Sequence, residues 1–216
     1  MHVFCMYLGR HLTSIFHERQ GQDMKKIKIL SILSILAVFF MVNTTFAEGI
    51  GGTVKFGVDF EGDHEVSGYG LSATEDVDTS ASFSAELFAE IAYNIDLGGG
   101  ITFQLPRSQQ DYEGDFYFIP VYGAMRVRFD TANATPYLIG QIGYNYFDGD
   151  SDYKGYGPYE ADLEGGLYWG LGGGVIINKH FLIELLYSVN NGKVKDYGYE
   201  FDIEYSKVTL NIGYNF

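Results

Sequence analysis

Eight charged residues stand at alternate positions within otherwise apolar stretches: Lys55, Asp59, Glu86, Glu90, Arg126, Arg128, Glu184 and Lys207. Charge in such a setting is tolerated only when it is paired and hydrogen-bonded. Both signs are present, so the set can neutralise itself. Arg126 and Arg128 are expected to form a positive centre, with Glu86, Glu90 and Glu184 as partners. The same groups would suit a conducting path or a catalytic cleft, but structural ion networks produce such clusters equally well.

Other chemistries find less support. A serine–histidine hydrolase needs a histidine held beside a serine and a carboxylate. Beyond residue 47 only His64 and His180 occur. His64 falls in a long polar stretch and His180 in a short turn, so both read as solvated turn residues and no enzyme activity is expected. No zinc, phosphate-loop or thiol motif is present, and no cofactor is expected. Two acidic runs are candidates for divalent cations. Glu61–Ala81 carries Glu61, Asp63, Glu65, Glu75, Asp76 and Asp78 without a Lys or Arg. In Asp148–Asp162, the spacing Asp148, Asp150, Asp152 matches the start of a calcium loop, but Gly155 and Glu160 are off register. A solvated acidic loop is the simpler reading.

The elements that must position these charges show a period of two. Eight alternating segments run over about Thr53–Phe60, Ser82–Tyr93, Leu97–Leu105, Phe116–Phe129, Tyr137–Phe147, Leu163–Ile177, Phe181–Val189 and Ile203–Phe216. Alternation places successive side chains on opposite faces of a strand. In Ile203–Phe216, for example, Val208, Leu210, Ile212, Tyr214 and Phe216 oppose Lys207, Thr209, Asn211, Gly213 and Asn215. All eight charges fall on polar faces, as does Glu164 beside Tyr168. Phe88 is an apolar exception on its polar face, and Pro120 predicts a bulge or break. Gly166, Gly170, Gly172 and Gly174 share a polar face, where they would make room for bulky side chains or leave a small cavity.

Most segments approach the 9–11 residues that carry a tilted strand across a bilayer. Strands in lipid must close into a ring, because lipid offers their amides no partner. The reading is therefore all-β: an eight-stranded antiparallel transmembrane β-barrel, an up-and-down meander, with its polar face inward. Breaks alternate between short (Asn94–Asp96, Asp130–Thr135, Asn178–His180) and long (Glu61–Ala81, Pro106–Asp115, Asp148–Asp162, Asn190–Asp202), as expected for a periplasmic and an outer side. Tyr93, Tyr117, Phe129, Tyr144, Tyr146, Phe181, Tyr187 and Tyr214 would form interfacial girdles. Eight strands give a lumen that side chains can fill, so a wide channel is not expected.

Lys25, Lys26 and Lys28 precede an apolar run, Ile29–Val42, and then Asn43–Glu48. This is the pattern of an export signal, and the run is shorter than the roughly 20 residues a spanning helix needs. Residues 1–47 are read as a signal peptide with an upstream extension, the true start being Met24, and residues 48–216 as the barrel. The segment holds Cys5, the one cysteine, and five basic against two acidic residues. Its removal takes the formal charge from −14 to −17. Nucleic acid is excluded as a partner, since binding its backbone needs neutralising Lys and Arg.

Val208, Leu210, Ile212, Tyr214 and Phe216 resemble the assembly signal of bacterial outer-membrane proteins. Residues 48–216 as a whole are similar to the small β-barrels of the OmpA-like, OmpX-like and OmpW-like group, with Phe118–Gly123 and Pro136–Tyr144 in that style. The resemblance implies a bacterial outer-membrane location, with outer-membrane lipid, lipopolysaccharide and the assembly machinery as partners. It implies a structural or surface-interaction role. The alternatives are a narrow porin-like channel or carrier for small solutes and, with less support, a lipid-modifying enzyme.

Overall fold

A computed structural model describes residues 50–108, 115–129, 131, 134–149, 161–196 and 199–216. The segment read as an export signal, residues 1–47, and the acidic stretch 150–160 lie outside the described residues. Eleven strands are present: β1 (Ile50–Asp59), β2 (Gly62–Gly68), β3 (Leu71–Val77), β4 (Ser80–Ala92), β5 (Ile95–Gln104), β6 (Arg107–Ser108), β7 (Asp115–Arg128), β8 (Ala134–Gly149), β9 (Asp162–Ile177), β10 (Phe181–Asp196) and β11 (Tyr199–Asn215). No helix occurs among the described residues.

Eight strands form an antiparallel ring in the order β1-β4-β5-β7-β8-β9-β10-β11, and β1 pairs back to β11 to close it. The seam runs from Thr53 opposite Asn215 to Asp59 opposite Thr209. At its end Gly52 and Phe216 exchange both backbone hydrogen bonds, at 2.9 and 2.8 Å. The Phe216 ring lies over Gly52, where a Cβ would collide with it. A glycine is therefore what lets the final aromatic ring cover the seam.

The outward-facing positions form a belt of exposed apolar and aromatic side chains that crosses the ring. It includes Phe56, Phe83, Leu97, Val121, Met125, Ile142, Leu171, Leu185 and Ile212. Most inward positions are buried. A water-soluble monomer does not expose apolar surface on this scale, whereas lipid requires it.

Three departures from the sequence reading have physical causes. Glu61–Ala81 is a hairpin, β2–β3, rather than a loop, and β10 and β11 extend through much of Asn190–Asp202. Above the belt neither face meets lipid, so an apolar outward face no longer marks a strand. Tyr69 and Gly70 adopt left-handed φ of 54° and 81°, which suits a two-residue hairpin turn. Pro120 interrupts no strand: β7 runs through it in register with β8, but pairing with β5 stops at Val121. Finally, a register shift between Asn190 and Gly192 in the β9–β10 ladder flips the start of β9. Leu163 thereby turns inward and Glu164 outward to Lys195, 2.5 Å away.

Ile142 lies mid-strand on the lipid face, 64% exposed. Ile142→Arg is expected to lower unfolding stability by about 2–4 kcal/mol, measured by urea titration in lipid vesicles. The same change made in the outer hairpin, Thr74→Arg, should leave stability nearly unchanged.

Candidate functional site

The interior is built in layers from the inward residues of the ring. At the mouth beside the short turns, Arg128 pairs with Glu90 at 3.0 Å and Asp96 at 3.2 Å, and Arg126 pairs with Asp96 at 2.8 Å. The Arg126 guanidinium lies over the rings of Phe88 and Tyr137. Phe88, Ala124, Ile139, Ile176, Leu182 and Leu186 then form an apolar layer. Phe88 thus follows the alternation in direction and fills the lumen with a ring. Leu186 lies over Gly172 and Tyr137 over Gly174, so these glycines make room for side chains.

In the centre, Lys55 sits between two carboxylates, 2.7 Å from Glu86 and 2.8 Å from Glu184. Each carboxylate is held by neutral donors. Tyr122 and Gln141 donate to Glu86 at 2.9 and 3.0 Å. Tyr137 and Asn211 donate to Glu184 at 2.9 and 3.0 Å. Tyr168 in turn donates to Gln141 Oε1 at 2.6 Å. Nearer the outer side the charge pattern inverts: Asp59 sits between two cations, Arg107 at 2.9 Å and Lys207. Thr209 and Ser82 donate to its other oxygen at 2.7 and 3.1 Å. Arg107 also donates to the Tyr205 hydroxyl at 2.6 Å. One triad carries a formal excess of one negative charge, the other of one positive charge.

An aromatic lid lies beyond the belt. Phe116, Phe118, Phe147 and Tyr205 pack with Val77 and Ile203. Phe118 stacks on Phe147 with centroids 4.5 Å apart. His64 joins this lid, 1% exposed and 5.0 Å from the Phe116 ring. It is not the solvated turn residue that the sequence suggests, and burial pushes its imidazole down to about 4. His180 does sit in an exposed turn, where its ring stacks on Tyr214.

An unbroken ring, an apolar belt outside and ion pairs within leave one reading of the fold. The chain is an eight-stranded antiparallel transmembrane β-barrel. No protein-family model matches it, and no curated protein matches it in sequence. Solved structures of small outer-membrane barrels align with it. Neisserial surface protein A is 15% identical, with a TM-score of 0.47 over 80% of this chain and 100% of its own. Ail, the attachment invasion locus protein of Yersinia pestis, is 18% identical, with a TM-score of 0.47 over 79% of this chain and 100% of its own. The outer membrane enzyme PagL is 11% identical, with a TM-score of 0.40 over 74% of this chain and 97% of its own. Such likeness concerns the fold alone, and a fold does not specify an activity.

Of the eight charged residues singled out in the sequence, Lys55, Asp59, Glu86, Arg126, Glu184 and Lys207 are buried in the barrel. Glu90, its side chain 51% exposed, and Arg128 lie at the mouth. Glu90 pairs with Arg128 as expected, while the other partners differ. The arginines use Asp96 and Glu90, because Asp96 stands directly across the β5–β7 ladder from Arg126. Glu86 and Glu184 are taken by Lys55. The sequence reading puts Asp96 at the end of a short break, although its parity with Thr102 and Gln104 marks it as inward. Arg107 carries no such signal: the ladder against β7 shifts by one residue between β5 and β6, and alternation does not carry across that break.

Lys55→Met would strand two buried carboxylates and should cost about 3–5 kcal/mol of stability, read by urea titration in vesicles. Combining it with Glu86→Gln and Glu184→Gln should recover most of the loss. The His64 effect runs with pH. A free imidazole titrates near 6.5, so below about 6.5 the unfolded hairpin binds a proton that the folded one refuses. Lid stability should therefore fall as pH drops towards about 4 and level off below it. Amide exchange in β2, corrected for intrinsic rates, should rise over that window, and His64→Gln should flatten the response.

Proposed function

We propose that this barrel is a non-enzymatic outer-membrane protein with a structural or surface-interaction role. One observation carries the proposal: charged, apolar and aromatic layers occupy the lumen in succession, while the strands continue outward as a projecting sheet. A solute path would have to break buried ion pairs at two levels. The histidines give no support to hydrolase chemistry, since His64 is packed against Phe116 and His180 stacks on Tyr214 in a turn. The belt serves as the contact with outer-membrane lipid. The acidic outer face is the part presented to external molecules.

Planar-bilayer recording tests this reading against the channel alternative. The wild-type barrel should give flat traces. Asp59→Ala combined with Arg107→Ala, which removes the outer triad, should raise the frequency of brief openings. Steady unitary conductance from the wild type, with solute uptake lost on deletion of the protein, would replace the structural reading with a channel.

A further inference from the structure

The face of the projecting sheet that continues the lumen side carries a groove of about 450 Å³ above the aromatic lid. Val66 and Ala73 form its floor, and Tyr69, Tyr199 and Phe201 form an aromatic wall. The Tyr69 ring meets Tyr199 edge-on at 5.6 Å and Phe201 at 6.0 Å. Tyr69 and Tyr199 are themselves largely exposed. The volume suits one or two large side chains.

The hairpin that carries this groove holds charge of one sign. Residues 61–81, which include both strands of the hairpin, contain no Lys or Arg. Glu75 is exposed on β3, two residues from Ala73. On the sheet's other face, Asp63 stands directly opposite Asp76, and Glu65 directly opposite Glu204. Like charges placed across a ladder destabilise it. The nearby lysines are already engaged: Lys193 with Glu200 and Asp202, and Lys195 with Glu164. The projecting sheet thus pairs an apolar, ring-lined groove with carboxylates that gain from an incoming cation.

We propose that this groove binds a cationic peptide segment that carries an aromatic or aliphatic side chain. The apolar side chain enters between Tyr69, Tyr199 and Phe201, an Arg or Lys group neutralises Glu75 on the same face, and the carboxylates of the other face attract the peptide through solvent over about a Debye length. Arginine has a further use there, since its guanidinium packs on tyrosine rings. A second copy of the chain is a poor occupant, because it would bring the same acidic sheet. An anionic lipid headgroup is repelled for the same reason. The proposal rests on the surface-interaction reading above and gives that surface a ligand class.

The test uses the full barrel in nanodiscs and a short fluorescent peptide of Arg and Gly with one Trp. Wild type should bind it, with affinity falling steeply as salt is raised. Tyr69→Asn with Phe201→Ser should weaken binding by about tenfold or more, as loss of central aromatic contacts does. Asn is chosen because it tolerates the left-handed backbone at residue 69. Glu65→Gln, Glu75→Gln and Asp76→Asn together should weaken it similarly and flatten the salt response. Replacing the peptide's Trp by Gly should match the effect of the groove variant, and folding of each variant is checked by its heat-dependent gel shift. Equal binding by the groove variant, no binding by wild type, binding to empty nanodiscs alone, or self-association in place of peptide capture would each overturn the proposal. None of these results alters the bilayer test, so the surface-interaction reading can survive the loss of this ligand.

Discussion

Hydrocarbon gives a peptide group nothing to hydrogen-bond with, so every strand edge inside a membrane must find another edge. In this chain the demand falls on β1 and β11, the first and last strands of the ring. Their pairing, from Thr53–Asn215 to Asp59–Thr209, turns an open sheet into a closed one. Once it is closed, the pleat divides side chains into two sets. One set faces lipid and must be apolar; the other faces a lumen too narrow to stay empty.

The same seam strand organises the interior. Lys55 and Asp59, both on β1, are the hubs of the two triads. Lys55 reaches Glu86 on β4 and Glu184 on β10. Asp59 reaches Lys207 on β11 and Arg107 on β6. Backbone closure and side-chain neutralisation are therefore linked, since a ring open at β1–β11 would separate Lys55 from Glu184 and Asp59 from Lys207. The opposite formal charges of the two triads also offset each other along β1. Stranding any one member would leave a buried charge without its partner, which costs far more than an exposed one.

Beyond the belt the constraint relaxes. Water satisfies open strand edges, so the ring no longer needs to be complete, and β2–β3 joins the ladder only through β11. Charge on the outward face no longer needs a partner within the protein. This is where the chain accumulates acidic residues, and where cross-strand like-charge pairs such as Asp63–Asp76 are tolerated. The lid of Phe116, Phe118, Phe147 and Tyr205 separates this wet region from the packed lumen.

Alternation alone made the ring of eight strands legible, because in lipid each side-chain face is bound to one environment. It placed Lys55, Asp59, Glu86, Arg126, Glu184 and Lys207 on inward positions, since a membrane strand has nowhere else to bury charge. It did not reach the hairpin β2–β3, where both faces are free of lipid and the pattern dissolves. Nor did it locate Arg107, which enters the lumen past a one-residue shift between β5 and β6, or foresee the register shift that turns Glu164 outward. Which acid meets which base depended on register and on distances across the lumen, and these exist only once the sheet has closed. The burial of His64 has the same origin, because residues far apart in the chain become its walls only in the finished barrel.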